Sequence, residues 1–201
     1  GMEGGYGTAD VLCGTSDACG RLTDTIAVSY EDYPSSSNFG SSTENIYQED
    51  VYVGYRYFET FAKEKVLYPF GFGLSYTSFA TESSLLPASG KTYAPNELPS
   101  SFEIRTTVTN TGSRSGKEIV QIYIEAPQGA LGKPLRQLCG FAKTKELTPN
   151  EQELLSISVI PYSFASYDDS GASGYPHCYV LEAGTYHFYA GANVRDAVPV
   201  G

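Results

Sequence analysis

Residues 108–127, "VTNTGSRSGKEIVQIYIEAP", decide how this chain is read. Val120, Ile122 and Ile124 alternate with Gln121, Tyr123 and Glu125, the period of two that sends successive side chains to opposite faces of a strand. Upstream, Phe102, Ile104, Thr106 and Val108 show the same alternation. The polar segment between them carries Gly112 and Gly116, so the stretch reads as a β-hairpin with one of those glycines at positive φ. It predicts Val120, Ile122 and Ile124 inside, with Gln121 and Glu125 facing out. Nothing in it resembles a catalytic centre.

Working outward, Leu155, Ile157 and Val159 repeat the alternation, and "GTYHFYAGAN" adds a strand with Tyr186 and Phe188 on one face. Short strands separated by turns rich in Gly, Pro and Asn predict an antiparallel β-sandwich from about residue 100 onward. Before it, "SSLLPASGKTYAPNELPSS" (83–101) carries three prolines and reads as an extended linker. "VYVGYRYFETF" and "VLYPFGFGLSYTSF" are aromatic almost throughout, with Pro69, Gly71 and Gly73 forcing bends, and read as a strand plus a short helix. Residues 35–50 are rich in Ser and Asn and read as a loop. Ile26 and Val28 suggest a short strand ahead of Pro34, while Ala9, Val11 and Leu12 suggest the last turns of a helix ending at Gly14. Gly1 before Met2 has the form of a tag-cleavage remnant and takes no part in the fold reasoning.

Composition narrows the function. A chain of 201 residues, 41% hydrophobic with 17 Tyr and no Trp, can bury a core. Its net charge of −10, from 13 basic against 23 acidic residues with no basic cluster, would repel a phosphate backbone, so no nucleic-acid partner is expected. No apolar run is long enough to span a membrane and no signal peptide is present, so the expectation is a cytoplasmic chain, secretion of a longer parent staying open. Cys13, Cys19, Cys139 and Cys178 lack the close pairing of a zinc site, and without an export signal they are expected as free thiols. No metal and no cofactor is expected.

The richest candidate site is Tyr55, Arg56 and Tyr57: tyrosine rings can stack on sugar and Arg56 can hold a hydroxyl or carboxylate. The plainer reading packs both rings in a domain junction and pairs Arg56 with an acid. "FGFG" (70–73) lacks the lysine and the strand-loop-helix frame of a phosphate loop and reads as a bend. Asp168, Asp169 and Asp196 lack the alternating oxygen ligands of a calcium loop. His177 and His187 have no third ligand evident.

"ADVLCG", "GRL", "VGYRYFET", "YPFGFGLSYTSF", "VTNTGSRSGKEIVQIYIEAP", "GKPLRQLCGFAKTKEL" and "EAGTYHFYAGANVRD", in this order, resemble the C-terminal part of family 3 glycoside hydrolases of the β-glucosidase type. The resemblance implies a mainly β fold: the tail of an α/β sandwich domain over 2–82, the linker at 83–101, and a fibronectin type III-like, immunoglobulin-like β-sandwich over 102–201. It implies that the nucleophilic aspartate and the acid/base glutamate lie outside this segment, leaving no catalytic residue here, and that the family would run on past Gly201 into a final strand. The implied role is a non-catalytic segment that braces the catalytic barrel and α/β domains, with a β-glucoside or oligosaccharide as the ligand class. The alternatives are a free-standing carbohydrate-binding or adhesion module, or the product of a split gene. Residues 3–80, torn from a domain covered on both faces, should fold back on the sandwich or self-associate.

Overall fold

The computed structural model describes residues 3–201; Gly1 and Met2, the first of them read as a tag remnant, lie outside the described residues. The chain begins with helix α1 (Gly4–Leu12), which buries none of its residues and ends as the sequence suggests, with Gly14 at φ 72 beyond the Cys13 cap. Strand β1 (Ile26–Ala27) follows, two residues long. Within the short strand that Ile26 and Val28 suggest, Ala27 is buried while Ile26 and Val28 face out, because Ala27 lies on Phe58 and Ala62 in a small cluster.

Helix α2 (Tyr55–Phe61) then occupies the centre of the aromatic run, and β2 (Val66–Tyr68) pairs back with β1. Aromatic composition suggests a strand, but burial here repeats at helical spacing, with Tyr55, Phe58 and Glu59 on the inner side. Gly54, at φ 59, turns the chain into the helix. The 35–50 stretch contains no strand or α-helix, as expected of a loop.

The sandwich starts earlier than the prolines suggest. β3 (Phe79–Leu86) pairs along its whole length with β4 (Phe102–Asn110), so residues 83–86 of the expected linker are strand. After them come β5 (Ile119–Glu125), β6 (Gln137–Lys143), β7 (Gln152–Val159), β8 (Ser166–Asp168), β9 (Cys178–Val180), β10 (His187–Gly191) and β11 (Val198–Pro199). One sheet has the order β3-β4-β7 and the other β11-β10-β5-β6, with every pairing antiparallel. The two enclose Ile104, Val108, Ile122, Ile124, Ile157, Val159 and Phe188, the alternating apolar positions read from the sequence. β8 and β9 form a separate hairpin, and β11 lies at the edge beside β10.

The opening stretch is not a hairpin. β4 and β5 belong to different sheets, so residues 111–118 arch across the end of the sandwich. Neither Gly112 nor Gly116 has positive φ. The arch is fastened by Asn110, wholly buried, whose Nδ2 donates to the carbonyls of Arg114 and Leu147 while its Oδ1 accepts from the Gly112 amide and the Thr77 hydroxyl. The glycines serve close approach instead: a Cβ on Gly112 would collide with Thr77 Oγ1 and lie 2.8 Å from the Ser78 amide nitrogen.

Candidate functional site

The most elaborate side-chain assembly in the chain is the junction between residues 3–76 and the outer face of the β5 sheet. An alternating strand ought to present Gln121 and Tyr123 to water. Both are buried, because Tyr55 and Phe70 cover that face. The Tyr55 ring lies 4.5 Å from that of Phe70 and 6.3 Å, edge on, from that of Tyr123. Its hydroxyl accepts the Leu138 amide at 2.9 Å. β6 is the edge strand of its sheet, and its register with β5 slips between Ile122 and Tyr123, as at a bulge.

Polar groups continue the join. Gly71, at φ 82, lies directly over the Gln121 side chain, and a Cβ there would collide with it. Gln121 Nε2 donates to the carbonyls of Gly71 and Ala192, and its Oε1 accepts from the Tyr123 hydroxyl. Burial drives the Tyr123 phenol far above its ordinary value, so it stays a neutral donor. The Val194 amide donates to the Phe70 carbonyl at 3.1 Å, and the Leu135 amide to Thr60 Oγ1 at 2.9 Å. Two ion pairs span the join, Arg21 with Glu118 and Arg195 with Glu59 at 2.9 Å, and Arg195 also reaches the Lys63 carbonyl. Arg136, 4.0 Å above the Tyr189 ring, adds a Val194 carbonyl contact and an ion pair to Glu125.

The Tyr55–Arg56–Tyr57 trio is placed but not brought together, since consecutive helix residues diverge around the axis. Tyr55 belongs to the junction core; Arg56 and Tyr57 are half-exposed, Tyr57 packing on Phe58 and Phe61. Among the described residues Arg56 forms no ion pair, so the pairing with an acid does not occur. Sequence reasoning missed Gln121, Tyr123, Glu118, Arg21, Glu59 and Arg195. The available signal was the concentration of polar side chains inside otherwise apolar runs.

Asp168 is buried and spends its carboxylate on its own loop, accepting the amides of Gly171, Ala172 and Ser173 and the Ser173 hydroxyl. Those hydrogen bonds hold its pKa down to about 2. Asp196 pairs with the Asn193 amide, and His177 and His187 are exposed. Among the described residues no three His, Cys, Asp or Glu side chains are grouped to hold a metal. The four cysteines are free thiols, with burial raising Cys139 to about 12. No helix among the described residues is long and apolar enough to cross a membrane.

Comparison with known proteins matches residues 1–76 to the model of the glycosyl hydrolase family 3 C-terminal domain, and residues 118–194 to that of the fibronectin type III-like domain. The chain is 51% identical over 197 residues to a beta-glucosidase of Ruminococcus albus, covering 98% of this chain and 20% of that protein. It is 45% identical to beta-glucosidase A of Butyrivibrio fibrisolvens over 98% of this chain and 25% of that protein. Among solved structures, a beta-glucosidase from Paenibacillus barengoltzii superposes with a TM-score of 0.90 at 50% identity, over 98% of this chain and 21% of the other. Beta-glucosidase 3B of Thermotoga neapolitana superposes with a TM-score of 0.82 at 34% identity, over 100% of this chain and 27% of that one. The chain thus spans a fifth to a quarter of the length of the curated relatives just named, 20% and 25%.

Proposed function

We propose, on the premise that this chain belongs to glycosyl hydrolase family 3 and joins that family's C-terminal domain to its fibronectin type III-like domain, that it is the non-catalytic C-terminal segment of a β-glucosidase-like enzyme. Its work is to brace the catalytic domains and shape the edge of their cleft. The observation that carries this reading is the junction: Tyr55, Phe70, Gln121 and Tyr123 fix residues 3–76 on the sandwich through an apolar contact and a chain of satisfied hydrogen bonds.

The catalytic domains would cover the apolar side chains that residues 3–76 leave outward, notably Leu12, Phe61, Leu67 and Leu74. In their absence the same surface favours self-association. Arg56 and Tyr57 are the members of the aromatic trio with surface left to meet a β-glucoside or oligosaccharide at the cleft edge. One observation favours a second reading, a carbohydrate-binding module: Tyr162, Tyr167 and Tyr179 form an exposed cluster, with ring centroids 4.6 and 5.2 Å apart.

The test has two parts. The isolated chain should not hydrolyse an aryl β-glucoside, and it should co-purify with the rest of the Ruminococcus albus beta-glucosidase when the two are co-expressed. Turnover by the chain alone that is abolished by a single carboxylate substitution would overturn the non-catalytic role; failure to co-purify would overturn the bracing role.

A further inference from the structure

The β8–β9 hairpin carries aromatic side chains that the fold leaves outside. Tyr167 and Tyr179 are direct partners across its two strands, and Tyr162, in the 3-10 helix Pro161–Phe164 just before β8, lies against Tyr179 with ring centroids 4.6 Å apart. Each of the three is more than half exposed, at 60% for Tyr162 and 52% for the other two. Their backbone is held from beneath: Phe164 sits in the sandwich core, Gln137 Nε2 donates to the Ser163 carbonyl at 3.1 Å, and the buried Asp168 carboxylate accepts the amides of Gly171, Ala172 and Ser173. Rings mounted this firmly lose little freedom when a ligand covers them.

Area and charge select the ligand. An aromatic side chain offers about 150–250 Å², so at this exposure the three together present roughly 250–400 Å². A stable protein interface takes about 800 Å² from each partner, which three tyrosines do not supply. The net charge of −10 repels an acidic saccharide, so the ligand is small and neutral. The negative face of an aromatic ring attracts C–H groups, and a glucose ring, with its hydroxyls all equatorial, offers a C–H face on either side and a rim of hydroxyls for the phenols. The Tyr162 and Tyr167 planes are inclined to that of Tyr179 by 55° and 64°, which makes a faceted surface and no flat strip. A free chain can turn successive sugars to follow the facets; the face of a cellulose crystal cannot. We propose that Tyr162, Tyr167 and Tyr179 bind a single soluble chain of β-linked glucose units by stacking. This rests on the carbohydrate-binding reading and its β-glucoside ligand class, to which it gives a site and a form of ligand.

Isothermal titration of the whole chain with cellohexaose tests this, with polygalacturonate as the anionic arm and co-sedimentation with microcrystalline cellulose as the flat-surface arm. Saturable cellohexaose binding is expected, weakened about tenfold by Tyr179→Ala, which removes the ring that touches both others, and kept within about twofold by Tyr179→Phe. Tyr162→Ala, outside the strand pairing, should weaken binding about threefold at the parent's melting temperature, which keeps the test decisive if Tyr179→Ala loosens the hairpin. Cellohexaose binding indifferent to both alanine variants would overturn the site and leave the carbohydrate-binding reading standing, whereas no binding in any of the three arms would overturn both. Cellulose or polygalacturonate bound in place of cellohexaose would overturn the ligand. Dimerisation in light scattering that Tyr179→Ala abolishes would give the surface to a second copy and overturn the proposal as well.

Discussion

Replacing Tyr55 separates the two things it does. Tyr55→Phe keeps the ring against Phe70 and Tyr123 but removes the oxygen that accepts the Leu138 amide at 2.9 Å. The variant takes away the acceptor of a donor packed beneath the ring, at about 1–3 kcal/mol. Tyr55→Ala also empties the ring's site in a cluster closed by Val194 and Ala197, which brings the expected loss to about 3–5 kcal/mol. Urea unfolding of each variant, followed by far-ultraviolet circular dichroism, gives the two magnitudes. Hydrogen exchange locates them: Tyr55→Ala should release amides in α2 and in residues 69–72 while the β4 and β7 amides stay protected. If Tyr55→Ala costs less than about 1 kcal/mol, far short of the usual range for emptying an aromatic core site, the ring does not hold the junction. Equal loss of protection in β4 would mean that the junction and the sandwich open together, which refutes the separation argued here.

Ile122, fully buried between the sheets, should cost about 2–5 kcal/mol when cut to Ala, read from the same urea titrations. Gly112→Ala should destabilise by about 1–3 kcal/mol despite its ordinary φ, because the new methyl meets the Thr77 side chain and the Ser78 amide; a neutral result in thermal melts would remove the close-approach account of the arch. Asp168 titrates lower in the folded chain, at about 2, than the about 3.9 of an unfolded aspartate, so its contribution is present above pH ~4 and fades as pH falls toward 2. Amide exchange in residues 170–173 should quicken across that window, and Asp168→Asn should show the fast exchange already at neutral pH. Unchanged protection in either experiment would show that the carboxylate does not fasten the loop.

The sandwich core was legible because alternation is a one-dimensional signal. Ile104, Val108, Ile122, Ile157 and Val159 are inside where period two puts them. The same rule misplaced Gln121, since alternation states which residues share a face but not whether the second face meets water. Here that face meets Tyr55 and Phe70, brought from fifty and more residues away. The arch was misread for a related reason. A glycine-bearing polar segment between two strands is compatible with a hairpin or with a crossing between sheets, and the choice rests on Asn110 gathering Thr77, Gly112, Arg114 and Leu147, contacts that span both sides of the crossing. α2 was hidden because Tyr and Phe favour strands when judged singly, while its burial at Tyr55, Phe58 and Glu59 follows a helix.

The junction's mixture of apolar and ionic groups bears on what it is for. An apolar patch such as Tyr55, Phe70, Tyr123 and Val194 supplies attraction but tolerates sliding, because dispersion and hydrophobic burial have little direction. Buried pairs such as Arg21–Glu118 and half-buried ones such as Arg195–Glu59 add little net stability once desolvation is counted, yet each is costly to break by displacement. Added to the apolar contact, they penalise displacement from the observed orientation. A segment that only had to stay attached would need the patch alone. One that must hold residues 3–76 at a fixed angle, as the proposed bracing role requires, needs the ion pairs as well.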